Sequence, residues 1–400
     1  MRRTVGRKIL GGLIGLFLIS RAVFAEVYTA GEHYLLKDGE PFLVKGVVYV
    51  PVYPGFLPWQ LAAAPEIPER LKQSIRQDLQ NIKAMGTNTV RFWDVPLFCY
   101  QAIKEMGGLV FIQTIWFDGS QKDFQAPLFK ERCRQAIAKT IDRIYTVYSK
   151  NDPPPLLAFL IGNELSAKSI ENTNQLHPEI HPYQGTYVSA PKGSTATECF
   201  LAEMADFLKT YEKTHYGRTH LVSYANEIRT QPLLDAPFLD FRSFNAYSYA
   251  ISDYQNPKEG SVTKTLFQGW IEDLKNRYPG LPLLITETGL SVSPNATHIG
   301  APDYGYGGNT EAEQAEGLLQ NWKDLTSTPL PIAGVCAHEY LDAWWKFGLK
   351  DSYRHDPGDA EEWFGLVSIE KEGDWYQTRF RESYFRLKEA WSKKFKKDQK

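Results

Sequence analysis

Between Leu43 and His338 the sequence alternates eight times between a short β-branched or apolar run and a longer stretch of helical spacing. The short runs are Leu43–Val50, Thr89–Trp93, Leu109–Trp116, Leu156–Ile161, His220–Tyr224, Phe241–Tyr247, Leu283–Thr286 and Ile332–His338. Between them, Arg70–Met85 places Leu71, Ile75, Leu79 and Ile82 on one stripe, and Arg132–Tyr148 does the same with Ile137, Ile141 and Ile144. A doubly wound sheet competes for this rhythm, but no G-x-G-x-x-G follows the first run and no G-x-x-x-x-G-K-[ST] is present. The pattern predicts an α/β chain closed into a (β/α)8 TIM barrel. No linker or internal repeat divides the sequence, so it reads as one domain with long loops after strands 4 and 7. These are Ser169–Ala196, rich in Asn, His, Pro and Gly, and Ser291–Asn309. Loops on that rim of a barrel commonly build a binding cleft.

The 400 residues balance 45 Lys and Arg against 47 Asp and Glu, a net charge of -2 that provides no bulk field for nucleic acid or anionic lipid. Function therefore belongs to a local site. Arg2, Arg3, Arg7 and Lys8 precede the apolar run Ile9–Ser20, and Ala22-Val23-Phe24-Ala25 resembles an A-x-A cleavage site. Residues 1–25 thus read as an export signal, leaving 26–400 as a domain that acts in the periplasm or outside the cell, with no membrane insertion once the signal is removed. Cys99, Cys133, Cys199 and Cys336 lie far apart without a C-x-x-C. Cys336 is expected to be a buried thiol, and a bridge between two of the other three stays open. The terminal Lys393–Lys400 reads as a solvated basic tail.

Two strand ends carry the chemistry. Gly162-Asn163-Glu164 follows the fourth run and Thr286-Glu287-Thr288-Gly289 the seventh, each placing a carboxylate where an apolar strand emerges. A barrel brings strand ends to one mouth, although these two residues stand 123 positions apart. Cleavage of an acetal needs such a meeting: the leaving oxygen must be protonated while positive charge grows on the ring carbon. One carboxyl group donates the proton, and the other stabilises or captures the cation.

These residues resemble the clan A retaining glycoside hydrolases, in which an acid/base Glu follows an Asn at the end of strand four and a nucleophilic Glu ends strand seven. The resemblance implies that Glu164 is the acid/base, that Asn163 binds the sugar 2-hydroxyl, and that Glu287 is the nucleophile. It also covers Arg91 in Val90-Arg91-Phe92-Trp93, Asn245-Ala246-Tyr247 after strand six, and Trp344-Trp345 past strand eight. By it, Arg91 and Tyr247 keep the nucleophile ionised and a Trp forms the floor under the sugar. Phe42–Val47 and Phe244–Tyr247 look most like family 2 catalytic barrels and the 1,3-glucan-processing families. Two departures stand out: family 2 enzymes carry β-sandwich domains before the barrel, whereas here strand one starts about twenty residues after the signal, and strand six lacks the His-x-Tyr typical of family 5.

Trp93, Trp116 and Asp118 also end strands and are candidates for sugar contacts, with Glu339 and Asp342 weaker ones. An extended backbone points Trp344 and Trp345 to opposite sides, so one of them is expected in the cleft. Asn226-Glu227 repeats the Asn-Glu pair after strand five and reads as loop or cap. His177-Pro178-Glu179-Ile180-His181 lacks the H-E-x-x-H pattern, so it reads as cleft wall, and neither a metal nor another cofactor is expected. The chain reads as a monomer with a carbohydrate partner: a retaining β-glycosidase on an oligo- or polysaccharide, with a β-glucanosyltransferase or a non-catalytic carbohydrate-binding barrel as alternatives.

Overall fold

A computed structural model describes residues 26–229, 234–253, 258–346 and 352–393. The export-signal reading of residues 1–25 and most of the basic tail fall outside the described residues. Strands β1 (Tyr28–Ala30), β2 (Leu35–Lys37) and β3 (Glu40–Phe42) form a small antiparallel sheet that the sequence reading did not anticipate. His33 Nδ1 hydrogen-bonds the Pro279 carbonyl ahead of the seventh barrel strand, so this sheet sits at the amino-terminal end of the barrel.

Eight parallel strands then close the barrel. In chain order they are β4 (Val44–Tyr49), β5 (Thr89–Phe92), β6 (Val110–Ile115), β7 (Leu156–Asn163), β8 (Leu221–Glu227), β9 (Arg242–Asn245), β10 (Leu283–Thr288) and β11 (Gly334–Ala337). Each pairs with its neighbour in sequence, and β11 closes onto β4 through Gly334–Val44 to Ala337–Val47. The eight expected runs are these eight strands. They read as nearly continuous apolar stretches because a barrel strand is covered by side chains inside and helices outside. Every residue of β6 and β10 is buried.

The helices follow the stripes in the sequence. After α1 (Pro58–Ala63), α2 (Glu69–Ala84) buries Leu71, Ile75, Leu79 and Ile82; α3 (Leu97–Met106) follows. Helix α4 (Pro127–Val147) buries Ile137, Ile141 and Ile144 and starts five residues before the expected Arg132, at a proline suited to the first helical turn. Helices α5 (Ala167–Leu176), α6 (Ala196–Tyr216), α7 (Leu266–Arg277), α8 (Glu311–Thr326) and α9 (Glu382–Ser392) complete the shell.

Three expectations need correction. Ser169–Ala196 is a loop only from His177 onward: α5, capped by the Ser166 side chain on the Ser169 amide, occupies its start. The described residues between β8 and β9 contain no helix, so the strand–helix alternation lapses once. The excursion after β11 is long as well, and it folds the hairpin β12 (Val367–Glu372) with β13 (Trp375–Phe380) before α9. Ser291–Asn309 is a loop as expected. All four cysteines are buried and free, which closes the question of a bridge among Cys99, Cys133 and Cys199.

The excursion after β11 is held by a buried ion pair. Arg381 donates from Nη1 to Asp342 Oδ1 and from Nη2 to Asp342 Oδ2, both at 2.6 Å, and the Gly365 amide donates to Asp342 Oδ1 at 3.1 Å. Asp342 is therefore a structural anchor and not the sugar ligand considered from sequence. Truncating one partner strands the other charge in the interior. Asp342→Ala is expected to lose about 3–5 kcal/mol in denaturant unfolding, and the double variant Asp342→Ala/Arg381→Leu to recover much of that loss.

Candidate active site

The site is assembled around a cation that has no access to water. Arg91 sits mid-barrel on β5 with its side chain fully buried. Its Nε donates to Thr114 Oγ1 on β6 (3.1 Å) and its Nη2 to Asn163 Oδ1 on β7 (2.7 Å). Nη1 reaches Asn245 Oδ1 on β9 (3.2 Å), the Thr286 carbonyl (3.0 Å) and Glu287 Oε1 on β10 (2.6 Å). One guanidinium thus ties five strands together at the carboxyl-terminal mouth, with its fork satisfied by planar acceptors.

Glu287 is buried, and its second oxygen accepts from the Tyr247 hydroxyl at 2.6 Å. The strand register shifts between Ile285 and Glu287 against β9, a local irregularity of the kind that re-aims a side chain. Gly289 follows because the His338 carbonyl crosses where a Cβ would stand. On β7 the register shifts between Leu160 and Asn163, Gly162 takes φ +77° and Glu164 φ +47°. A left-handed glutamate is a strained position, and the strain turns its side chain into the mouth. Asn245 Nδ2 donates to Glu164 Oε1 (2.8 Å) and to Asn163 Oδ1 (3.1 Å), so Asn245 links the two carboxylate strands from below.

The two carboxyl groups are electrostatically distinct. Glu164 is half-buried, and burial pushes its carboxyl up to about 7. The negative charges of Glu287 and Glu227 push the same way, while the Asn245 hydrogen bond and the Arg91 charge oppose them. Glu287, in contrast, holds a guanidinium and a phenol directly on its oxygens. A carboxyl able to carry a proton at neutral pH therefore shares a mouth with a carboxylate held by a permanent cation.

A cleft of about 680 Å³ opens above them. Glu164, Glu287, Asn163, Tyr247, Trp93, Trp116, Trp345 and Asp118 line it, while Arg91 and Asn245 lie beneath and act through their partners. Trp344 does not belong to it. Its ring stacks on His355 at 4.8 Å and meets Tyr376 edge-on at 6.1 Å, because neighbouring residues on this segment face opposite ways. Trp345 is the one of the pair that enters the cleft.

The cleft contains residues that the sequence reading passed over: His338, Tyr249, Arg229, Lys346 and Glu361. His338 ends the eighth expected strand, so its place at the rim is the signal by which it could have been found. Lys346 and Arg229 are already paired, Lys346 with Glu361 at 2.7 Å and Arg229 with Glu227 at 2.7 Å. Glu227 is the last residue of β8 and not a loop residue. Glu339 is buried beside His338 and Lys346 and does not line the cleft. His177 bonds Asp123 Oδ1 at 3.0 Å and neither His177 nor His181 lines the cleft, so the expected cleft wall from this segment is withdrawn.

No protein-family model and no curated protein matches the sequence. Solved structures do match it. A GH2 β-galacturonidase from Eisenbergiella tayi, bound to galacturonate, aligns over 92% of this chain with a TM-score of 0.58 and 16% identity. A Ruminococcus gnavus β-glucuronidase aligns over 92% with a TM-score of 0.58 and 15% identity, and its complex with uronic isofagomine gives 0.59. The likeness is one of fold. This chain spans about half the length of those proteins, 54% and 53%. The eight-stranded barrel read from the sequence is thus shown both by its own topology and by these structures.

The charge on Glu287 contributes to the high proton affinity of Glu164, which gives a direct check. Followed by carboxyl-edited NMR, Glu164 is expected to titrate near 7 and to shift to lower pH in Glu287→Gln. An unmoved midpoint would assign the whole effect to burial.

Proposed function

We propose that this protein is a retaining β-glycosidase, with Glu287 as nucleophile and Glu164 as acid/base. The observation that carries the reading is the division of labour just described: one carboxylate clamped by Arg91 and Tyr247, and a proton-bearing carboxyl across the same cleft. Glu287 attacks the anomeric carbon while Glu164 protonates the departing oxygen, giving a glycosyl ester and a free alcohol. Forming that ester removes the negative charge of Glu287. One contribution that kept Glu164 protonated then disappears, and Glu164 becomes the base that takes a proton from the incoming acceptor. Asn163 commits its Oδ1 to Arg91 and Asn245, which leaves its Nδ2 for a sugar hydroxyl beside the nucleophile.

The substrate we infer is a neutral oligo- or polysaccharide of the β-glucan type. Among the described residues lining the cleft, the cations Arg229 and Lys346 are each neutralised by a carboxylate, which favours hydroxyl groups over a uronate as their ligands, unlike the galacturonate bound in the solved relative. The aromatic side supports more than one sugar ring. Trp93 meets Trp116 edge-on at 5.3 Å and Trp345 at 6.4 Å, and Trp345 meets the exposed Trp59 at 6.5 Å. Trp116 and Trp59 also border a second depression of about 280 Å³. Stacking surfaces beyond the first ring equally suit a sugar acceptor, so transglycosylation is the second reading. The basic and apolar residues before position 26 favour action outside the cytoplasm.

The test uses aryl β-glucosides and β-glucan oligomers. Glu287→Gln is expected to abolish turnover. Glu164→Gln is expected to lose about 10²–10⁴-fold on substrates with poor leaving groups and far less on dinitrophenyl glycosides, which need no proton. Proton NMR of the first product should show the β-anomer. Unimpaired Glu287→Gln or an initial α-anomer would overturn the reading, and products longer than the substrate would select transfer over hydrolysis. Aryl β-glucuronide turned over faster than aryl β-glucoside would overturn the neutral-sugar inference alone. For the wild type, kcat/KM should fall as pH rises through about 7, where Glu164 loses its proton amid Glu287, Glu227, Arg91 and Arg229.

A further inference from the structure

Two buried polar atoms in the cleft have no hydrogen-bond partner among the described residues: Nδ1 of His338 and Nε1 of Trp93. His338 is 2% exposed and Trp93 7%, and their rings lie 5.7 Å apart at 32°. His338 Nδ1 stands 3.7 Å from Glu287 Oε2, and its Nε2 stands 3.6 Å from Glu339 Oε1, both too long for a hydrogen bond. The ring is packed from other sides by Phe364 at 5.3 Å and Tyr247 at 6.1 Å. Burial, together with the charges of Lys346 and Arg91, holds the imidazole well below its ordinary range, so it is neutral and offers a hydrogen bond, not a charge.

A buried polar atom left without a partner is costly, and native proteins keep few of them. Two side by side in one cavity, one of them next to the carboxylate that would attack, are explained by a ligand that supplies the missing partners. We propose that His338 Nδ1 and Trp93 Nε1 each bind a hydroxyl of the sugar ring seated against Glu287, and so set which ring configuration is accepted. The indole can only donate, so it takes a hydroxyl oxygen as acceptor. The proposal rests on the glycosidase reading and adds its specificity: a sugar with either hydroxyl removed or inverted leaves a buried polar atom unpaired, an error that a cleft of purely apolar walls would not detect.

The test couples protein and substrate changes in the full chain. His338→Phe keeps the ring packing and deletes Nδ1; Trp93→Phe deletes Nε1. kcat/KM is measured for each with an aryl β-glucoside and its monodeoxy analogues. His338→Phe is expected to lose about 10- to 100-fold on the parent glycoside and to lose nothing further on one deoxy analogue, with Trp93→Phe doing the same at a different position. His338→Asn, which keeps a polar atom near the site of Nδ1, should recover part of the loss. Equal losses on every analogue would make the two residues structural and overturn the proposal, as would no loss at all. Glu287→Gln in the same series separates the failures: if it retains turnover, the glycosidase reading falls; if it is inactive while the losses are uniform, only this inference falls.

Discussion

A guanidinium shut away from water at the mouth of a barrel must have its N–H groups answered, and meeting that demand places nearly everything else. Leaving an arginine charge buried without partners would cost more than a small domain's margin of stability allows. Arg91 is answered by Thr114, Asn163, Asn245, the Thr286 carbonyl and Glu287, which come from four other strands. Each partner is thereby fixed in height and direction. Asn163 and Asn245 in turn hold the neighbourhood of Glu164, so the two carboxylates are positioned from a common centre, not independently.

Much of this was legible in the sequence because barrel strands leave a strong trace. Runs such as Leu156–Ile161 and Leu283–Thr286 are apolar on both faces, and the polar residue that breaks each run marks the rim. That break marks Glu164 and Glu287, while Arg91 and Tyr247 were legible through the resemblance to clan A glycoside hydrolases. What could not be read were segments whose form depends on distant partners. Helix α5 begins inside an Asn- and Ser-rich stretch because Ser166 caps it. The hairpin of β12 and β13 was not legible because its strands are partly exposed and lack a continuous apolar run. The sequence draws attention to Trp344–Trp345 and not to His338 for a similar reason: an aromatic pair is conspicuous, while a single His at the end of a strand gains meaning only when Trp93, Phe364 and Glu287 are seen around it.

The cleft mixes two surfaces. Indole rings from Trp93, Trp116 and Trp345 line it together with Arg229 and Lys346, whose charges are compensated by Glu227 and Glu361, and Lys346 Nζ lies 5.9 Å from the Trp93 ring. A sugar ring has the same two aspects, a C–H face that suits aromatic carbon and a rim of hydroxyls that suits paired charges. Strain enters at one residue, Glu164, whose left-handed backbone is sustained by the Glu164 amide bonding to the Ala225 carbonyl and by the Asn245 contact.

The clasp between Asp342 and Arg381 has a consequence for how this cleft behaves over time. It fastens the segment that carries Trp345 and Lys346 to the residues that lead into α9, and α9 itself lies against the barrel through the buried Leu387 and Trp391. That flank of the trough therefore cannot swing aside like a door without undoing the carboxyl-terminal packing. Saccharide chains would then pass a fixed wall on that side, and turnover would not have to wait for the described Trp345–Lys346 segment to move.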